Sequence, residues 1–152
     1  LLDKYKIEKI KTIGDALMLV SGAPRRIKNH AIEMAHMALD MYDELNSFNA
    51  EYGEALDLRI GIHTGPVVAG VMGKKKFTYD LWGDAVNTAS RMESHGIPGI
   101  VHISDATYQH IKGKFNIESR GMIEVKGKGQ MKTYILKKTD DQKFDRDYVH
   151  KK

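Results

Sequence analysis

The sequence predicts an α+β sandwich, with helices packed on a largely antiparallel sheet. Three observations carry this expectation. Residues 29–49 repeat apolar side chains at intervals of three and four; Leu56, Leu58, Ile60 and Ile62 alternate strictly with polar or small residues; and strand-like runs are joined by short turns rich in Gly and Asp. Helices scattered among hairpins, with no internal repeat, argue for one mixed domain.

The elements follow in order. Tyr5–Ile13 and Ala16–Val20 flank Gly14-Asp15 and read as a hairpin, with Pro24 ending the unit. The chain thus opens almost directly in a strand, as a sequence whose upstream part is missing would. Ala31, Met34, Ala38, Met41, Leu45 and Phe48 form one face of a helix of about five turns. The alternating strand 56–62 is followed by the turn Thr64-Gly65-Pro66 and a returning strand over Val67–Met72, a second hairpin-like pair. Asp84–Ser94 reads as a helix, with Asp84 as N-cap and Gly96 beyond its end. Ile100–Ile103 reads as a strand, and Ser104 caps a short helix reaching about Lys112. Lys114–Ile117, Met122–Val125 and Met131–Leu136 complete the set as three more strands. Residues 137–152 carry six Lys+Arg against four Asp and little else, so they read as a charged tail or linker after a domain spanning 1–136.

Composition narrows the function. At 152 residues and 41% hydrophobic content, the chain can bury a core without staples. The absence of cysteine excludes disulfides, thiolate metal sites and cysteine nucleophiles, and it is compatible with a reducing compartment. The longest apolar run, Ala16–Val20, is too short for a bilayer, and no charged-then-apolar leader opens the chain; the expected location is cytoplasmic. A net charge of +4 suits an anionic partner, yet many soluble domains carry as much. No interleaving of basic and aromatic residues on a sheet face points to RNA, so nucleic acid is not an expected partner.

Chemistry-bearing residues cluster in four places. Asp80 lies in Tyr79-Asp80-Leu81-Trp82-Gly83, where one carboxylate among aromatics offers what a purine pocket needs. Asn87 and Arg91, four apart on a helix, project from one face as an amide and a positive fork suited to a phosphoester. Val125-Lys126-Gly127-Lys128-Gly129 is a basic turn whose glycines let backbone amides converge on an anion. Lys11 and Asp15 flank one hairpin turn; Asp15 offers a hard oxygen donor, though one carboxylate does not make a magnesium site. His63, within an alternating segment, reads as structural.

These segments together resemble the catalytic domain of the class III nucleotidyl cyclases, the adenylyl and guanylyl cyclases. The matching stretches are Ile7 to Asp15, Leu58 to Val67, Tyr79 to Arg91, and Arg120-Gly121 through Gly129, in the family's order and over nearly the whole chain. The resemblance implies a ferredoxin-like sandwich that here lacks the family's first strand and first helices. It also implies a head-to-tail homodimer with active sites at the shared interface, an upstream sensor or regulatory domain, and two Mg2+ or Mn2+ ions per site. By resemblance Asp15 is one of two metal-binding aspartates, Lys11 and Asp80 the purine-selecting pair, Asn87 the ribose-orienting amide, Arg91 the transition-state arginine and Lys126 the triphosphate-binding lysine.

Donor and acceptor logic then selects the base. Adenine presents an acceptor at N1 and an amine at C6; lysine only donates and an ionised aspartate only accepts, so Lys11 and Asp80 complement both. Guanine reverses both edges, and guanylyl cyclases usually carry glutamate and a small polar residue at these positions. ATP is the expected substrate, with GTP as the alternative. The family's other metal aspartate, in an Asp-Ile-x-Gly-Phe type segment, has no counterpart in this sequence. The chain by itself is therefore expected to show little or no activity, or to serve as a non-catalytic dimerisation or regulatory fragment.

Overall fold

The computed structural model describes residues 2–23, 26–72 and 78–137; the side chains of residues 69, 71–72 and 78–82 lie outside that description, as do Pro24 and the tail from 138 onward. The element order is α1 (Leu2–Tyr5), β1 (Glu8–Ile13), β2 (Ala16–Val20), α2 (His30–Tyr52), β3 (Ile60–Ile62), β4 (Val68–Met72), β5 (Thr78–Trp82), α3 (Asp84–Ser94), β6 (Val101–Ser104), α4 (Asp105–Ile111), β7 (Asn116–Val125) and β8 (Gly129–Lys137). The expected α+β class holds.

A four-stranded sheet, ordered β3-β6-β8-β7, forms the centre. Only β3 and β6 run parallel; β6–β8 and β7–β8 are antiparallel. Side chains alternate across a strand, and here each alternation serves a different helix. Ile62, Val101, Ile103, Tyr134 and Leu136 join Ala31, Ala35, Ala38 and Leu39 of α2 and Ile111 of α4 in one apolar cluster. Tyr134 stacks on Tyr108 of α4 with ring centroids 4.0 Å apart. Gly61 and His102, between them on β3 and β6, face α3 instead. A Cβ at Gly61 would lie 2.1 Å from the Glu93 backbone nitrogen, so α3 sits directly on the backbone of β3 and only glycine fits there. His102 reaches the Met92 carbonyl from the same face. Helices on both faces explain why all four residues of β6 are buried. Each fully buried aliphatic such as Ile103 or Ile111 contributes about 1.5–3 kcal/mol.

Several expectations are corrected. A short helix, Leu2–Tyr5, precedes the first strand, so the strand expected from Tyr5 starts at Glu8: the Ile7 N–H bonds back to the Leu2 carbonyl, the Tyr5 hydroxyl bonds Asp40 of α2, and the Tyr5 ring stacks on His36. Asp40, bonded by Tyr5, and Met37 are both buried although they lie off the stripe that periodicity assigns to α2, while Phe48 on that stripe stays exposed. The strand expected over 56–62 shortens to Ile60–Ile62, and its partner is β6; β4 pairs with β5, a strand over residues to which the sequence analysis assigns no element. Gly83, not Asp84, is the N-cap of α3, whereas Ser104 caps α4 as expected by accepting from the Thr107 N–H. The two strands expected at 114–117 and 122–125 are one strand, β7. Its ladder shifts register between Ser119 and Gly121, which inserts Arg120 as an extra residue and reverses which face later odd-numbered residues occupy. The apolar alternation breaks there, so the sequence reads as two strands. Lys137, assigned to the tail, closes β8 and pairs with Glu118 at 2.5 Å.

Candidate active site

The α3 helix and the β7–β8 turn enclose a groove of about 310 Å³, lined among the described residues by Asp84, Asn87, Thr88, Arg91, Lys126, Gly127 and Lys128. The four α3 residues sit at helical intervals of three and four, a single stripe. Asp84 in the first turn and Arg91 in the last complement the helix dipole. Thr88 is the buried member of the stripe and its hydroxyl donates to the Asp84 carbonyl at 3.0 Å, while Asn87 is exposed and Arg91 half-buried. Opposite, the Lys128 N–H closes the turn on the Val125 carbonyl at 2.9 Å. Val125, fully buried, anchors that turn.

Sequence reasoning placed Asn87, Arg91 and Lys126 separately, and the fold brings them to one groove. Asp84, Thr88 and Lys128 line it as well, beyond the residues that sequence reasoning singles out as functional. Asp84 was read only as a cap and Lys128 only as part of the basic turn, yet the Lys128 ammonium pairs with the Asp84 carboxylate across the groove. The signal for Asp84 was its spacing of three and seven from Asn87 and Arg91. Three cations against one carboxylate give the groove a positive excess suited to a polyphosphate.

Lys11 and Asp15 do not line this groove. They sit on the β1–β2 hairpin, whose two-residue turn places Gly14 at φ +58° and pairs Ile13 with Ala16. A register shift between Lys9 and Lys11 lets Ile10 turn inward, and Lys11 is half-buried while Asp15 is exposed at the tip. Asp80 lies on β5 opposite Gly70; its side chain lies outside the described residues. The strands themselves are neighbours, since β1 packs against β5.

Burial pushes three histidines of the fold below their ordinary value. Burial pushes His63 down, with Asp84 opposing and Lys128 reinforcing; its Nδ1 lies 2.7 Å from the Ser104 hydroxyl, a structural partner. Burial also lowers His102, against the Met92 hydrogen bond and with Arg120 and His95 reinforcing, and lowers His30, with His110 reinforcing. A histidine below its ordinary value of about 6.5 binds fewer protons folded than unfolded, so its contribution is complete above that pH and is lost as pH falls through the folded value. The urea midpoint of the chain is therefore expected to be lower at pH 5.5 than at pH 7.5. A flat profile over that interval would contradict the burial of these rings.

The sequence profile of the adenylate and guanylate cyclase catalytic domain matches residues 1–138. The chain belongs to this family. It is 51% identical over 134 residues to the guanylate cyclase soluble subunit beta-2 of Rattus norvegicus, covering 87% of this chain and 20% of that protein. It is 47% identical over 136 residues to an adenylate cyclase of Mycobacterium bovis, covering 90% of this chain and 31% of that protein. The cyclase domain described here thus spans a fifth to a third of these relatives. Among solved structures, the guanylate cyclase domain of RhGC from Catenaria anguillulae in complex with GTP superposes with a TM-score of 0.85 at 45% identity, covering 91% of this chain and 76% of that one. The catalytic core of a rhodopsin-guanylyl cyclase with converted specificity, in complex with ATPαS, gives 0.84 at 46%, covering 91% and 75%. The adenylyl cyclase CyaB from P. aeruginosa gives 0.86 at 27%, covering 93% and 76%. Relatives of both substrate types flank the chain. Among the described residues, no helix is long and apolar enough to cross a membrane.

Proposed function

We propose that this cyclase domain is of the adenylyl type and converts ATP to 3′,5′-cyclic AMP and pyrophosphate. The ribose 3′-oxygen attacks the α-phosphorus, the bond to the β-phosphate bridging oxygen breaks, pyrophosphate leaves, and the 3′-hydroxyl proton is lost. The observation that carries this reading is the convergence of Asn87, Arg91 and Lys126 on one positively charged groove. Asn87 orients the ribose, Lys126 holds the polyphosphate, and Arg91 stabilises charge building on the transferring phosphoryl. Lys11 and Asp80, on neighbouring strands, select adenine.

Asp15 lies at the hairpin tip and outside the groove, which supports a site completed by a second copy of the chain in a head-to-tail homodimer, with Lys11 and Asp15 of one chain serving two different sites. Exposed Ile13 and Leu17 on that hairpin give the second copy apolar surface to cover. Two Mg2+ or Mn2+ ions are the proposed cofactors; when bound they activate the 3′-hydroxyl and neutralise the leaving group. Asp15 suits one hard-cation bond, but no cluster of three His, Asp or Glu occurs among the described residues, so this donor set alone does not close a two-ion shell. A nucleoside triphosphate substrate goes with a cytoplasmic location and with control by an upstream sensor or regulatory domain.

The competing reading is guanylyl cyclase, favoured by the relative at 51% identity. Turnover by the full-length protein with Mg2+ separates them. Cyclic AMP and pyrophosphate in equal amounts, with ATP favoured over GTP in kcat/KM, is the expected result. Preference for GTP sinks the adenylyl assignment, and no cyclic product from either nucleotide sinks the enzyme.

A further inference from the structure

The C-terminal end of α3 is held by two arginines from the sheet. Arg59, just before β3, approaches the Ser94 carbonyl at 3.5 Å and the Glu93 carboxylate at 3.6 Å, both contacts on the exposed side. Arg120 is the stronger hold. Its Nη1 donates to the His95 carbonyl at 2.5 Å and to His102 Nε2 at 3.2 Å. His102 is itself fully buried and its Nδ1 donates to the Met92 carbonyl at 2.9 Å. Because a carbonyl only accepts, the proton of the neutral ring sits on Nδ1 and Nε2 is left with a lone pair for Arg120. Each bond in the chain Arg120–His102–Met92 therefore has a matched donor and acceptor.

Two features make this more than an anchor. Arg120 is the inserted residue of the β7 irregularity, the place where a strand re-aims a side chain. Strand β7 also ends in the turn that carries Lys126 and Lys128, so one strand supplies one wall of the groove and grips the helix forming the other. Arg91 lies one turn before the gripped end, and its carbonyl accepts from the His95 N–H at 2.9 Å, the residue Arg120 holds. Asn87 lies a further turn away.

We infer that Arg120, through His95 and His102, is a positioning residue that fixes α3 against the β7–β8 turn and thereby sets where the Arg91 guanidinium stands. This rests on the reading of the groove as the active site. A displacement of about 1 Å at such a group costs on the order of a hundredfold in rate; a shift damped through one helical turn is expected to cost about tenfold.

The test compares Arg120→Gln, Arg91→Ala, their double variant and Tyr42→Phe in the full-length protein, assayed well below the lowest melting temperature. Tyr42 is the stability control: its hydroxyl donates to the Leu58 carbonyl at 2.6 Å and lies 2.8 Å from that of Ile100, on the opposite side of the sheet from α3. Expected is a kcat about tenfold lower in Arg120→Gln with KM within threefold, an unchanged kcat in Tyr42→Phe, and less than a twofold further loss when Arg120→Gln is added to Arg91→Ala. If Arg120→Gln does not fold, Arg120→Lys, which keeps a cation at the helix end without the planar fork, reads the same cycle. Loss in Arg91→Ala with none in either Arg120 variant, or losses that multiply in full, overturns the clamp and leaves the groove reading intact. An intact kcat in Arg91→Ala overturns both.

Discussion

Arg91→Ala is expected to lower kcat by roughly 10²–10³-fold with a small change in KM. Removal of a single preorganised charge-stabilising donor costs about that much in other enzymes. The side chain is half-buried at the end of the Asp84–Arg91 stripe, where partial exclusion of water strengthens its field on a phosphoryl group. Its loss leaves no cavity in the apolar core, which lies on the other face of the sheet, so the melting temperature is expected to move by only a few degrees. Arg91→Lys separates the two parts of the role: a point charge remains, but the fork that can bridge two oxygens does not, and kcat should recover only in part. The readout is steady-state turnover of the full-length protein alongside thermal unfolding. A kcat within threefold of the parent in Arg91→Ala would remove this residue from the chemistry, whatever its place in the groove.

The helices were the most legible part of the sequence. Asp84–Ser94 was bounded to the residue and Ser104 was identified as a cap, because helix spacing and capping are local properties. The strand pairings were not, since pairing depends on what lies across the sheet. Ile60–Ile62 carries the expected alternation, but nothing local says that its partner is β6, forty residues on and parallel. The break at Arg120 is of the same kind: a one-residue insertion reverses the faces of β7, and without the β8 register it looks like a turn. At the groove, the four-residue interval placed Asn87 and Arg91 on one face, while Asp84 facing Lys128 required knowledge that the β7–β8 turn folds back over the start of α3. Gly61 is a position no periodicity rule flags, because its meaning is the absence of a side chain beneath a helix that arrives thirty residues later.

Lys11→Glu is expected to reduce the ratio of kcat/KM for ATP over that for GTP by roughly a hundredfold. The argument is one of donors and acceptors. An ammonium can satisfy N1 of adenine, whereas N1 of guanine already carries a hydrogen, and each mismatched buried polar group costs about 1–3 kcal/mol. Glutamate reverses the preference at that edge by accepting from N1–H of guanine. The backbone placement supports the proposed pairing: Lys11 is half-buried on β1, β1 packs against β5, and Asp80 lies on β5 opposite Gly70. Adding Asp80→Ser, which replaces an obligate acceptor by a hydroxyl able to donate to O6, is expected to complete the inversion so that GTP becomes the better substrate. The second change acts on top of the first, since it removes the mismatch that Lys11→Glu leaves at the other edge of guanine. Turnover of both nucleotides by the single and double variants measures the ratio directly. A selectivity that stays within threefold of the parent in the double variant would show that these two side chains do not face one base, and the assignment of ATP would lose its physical ground.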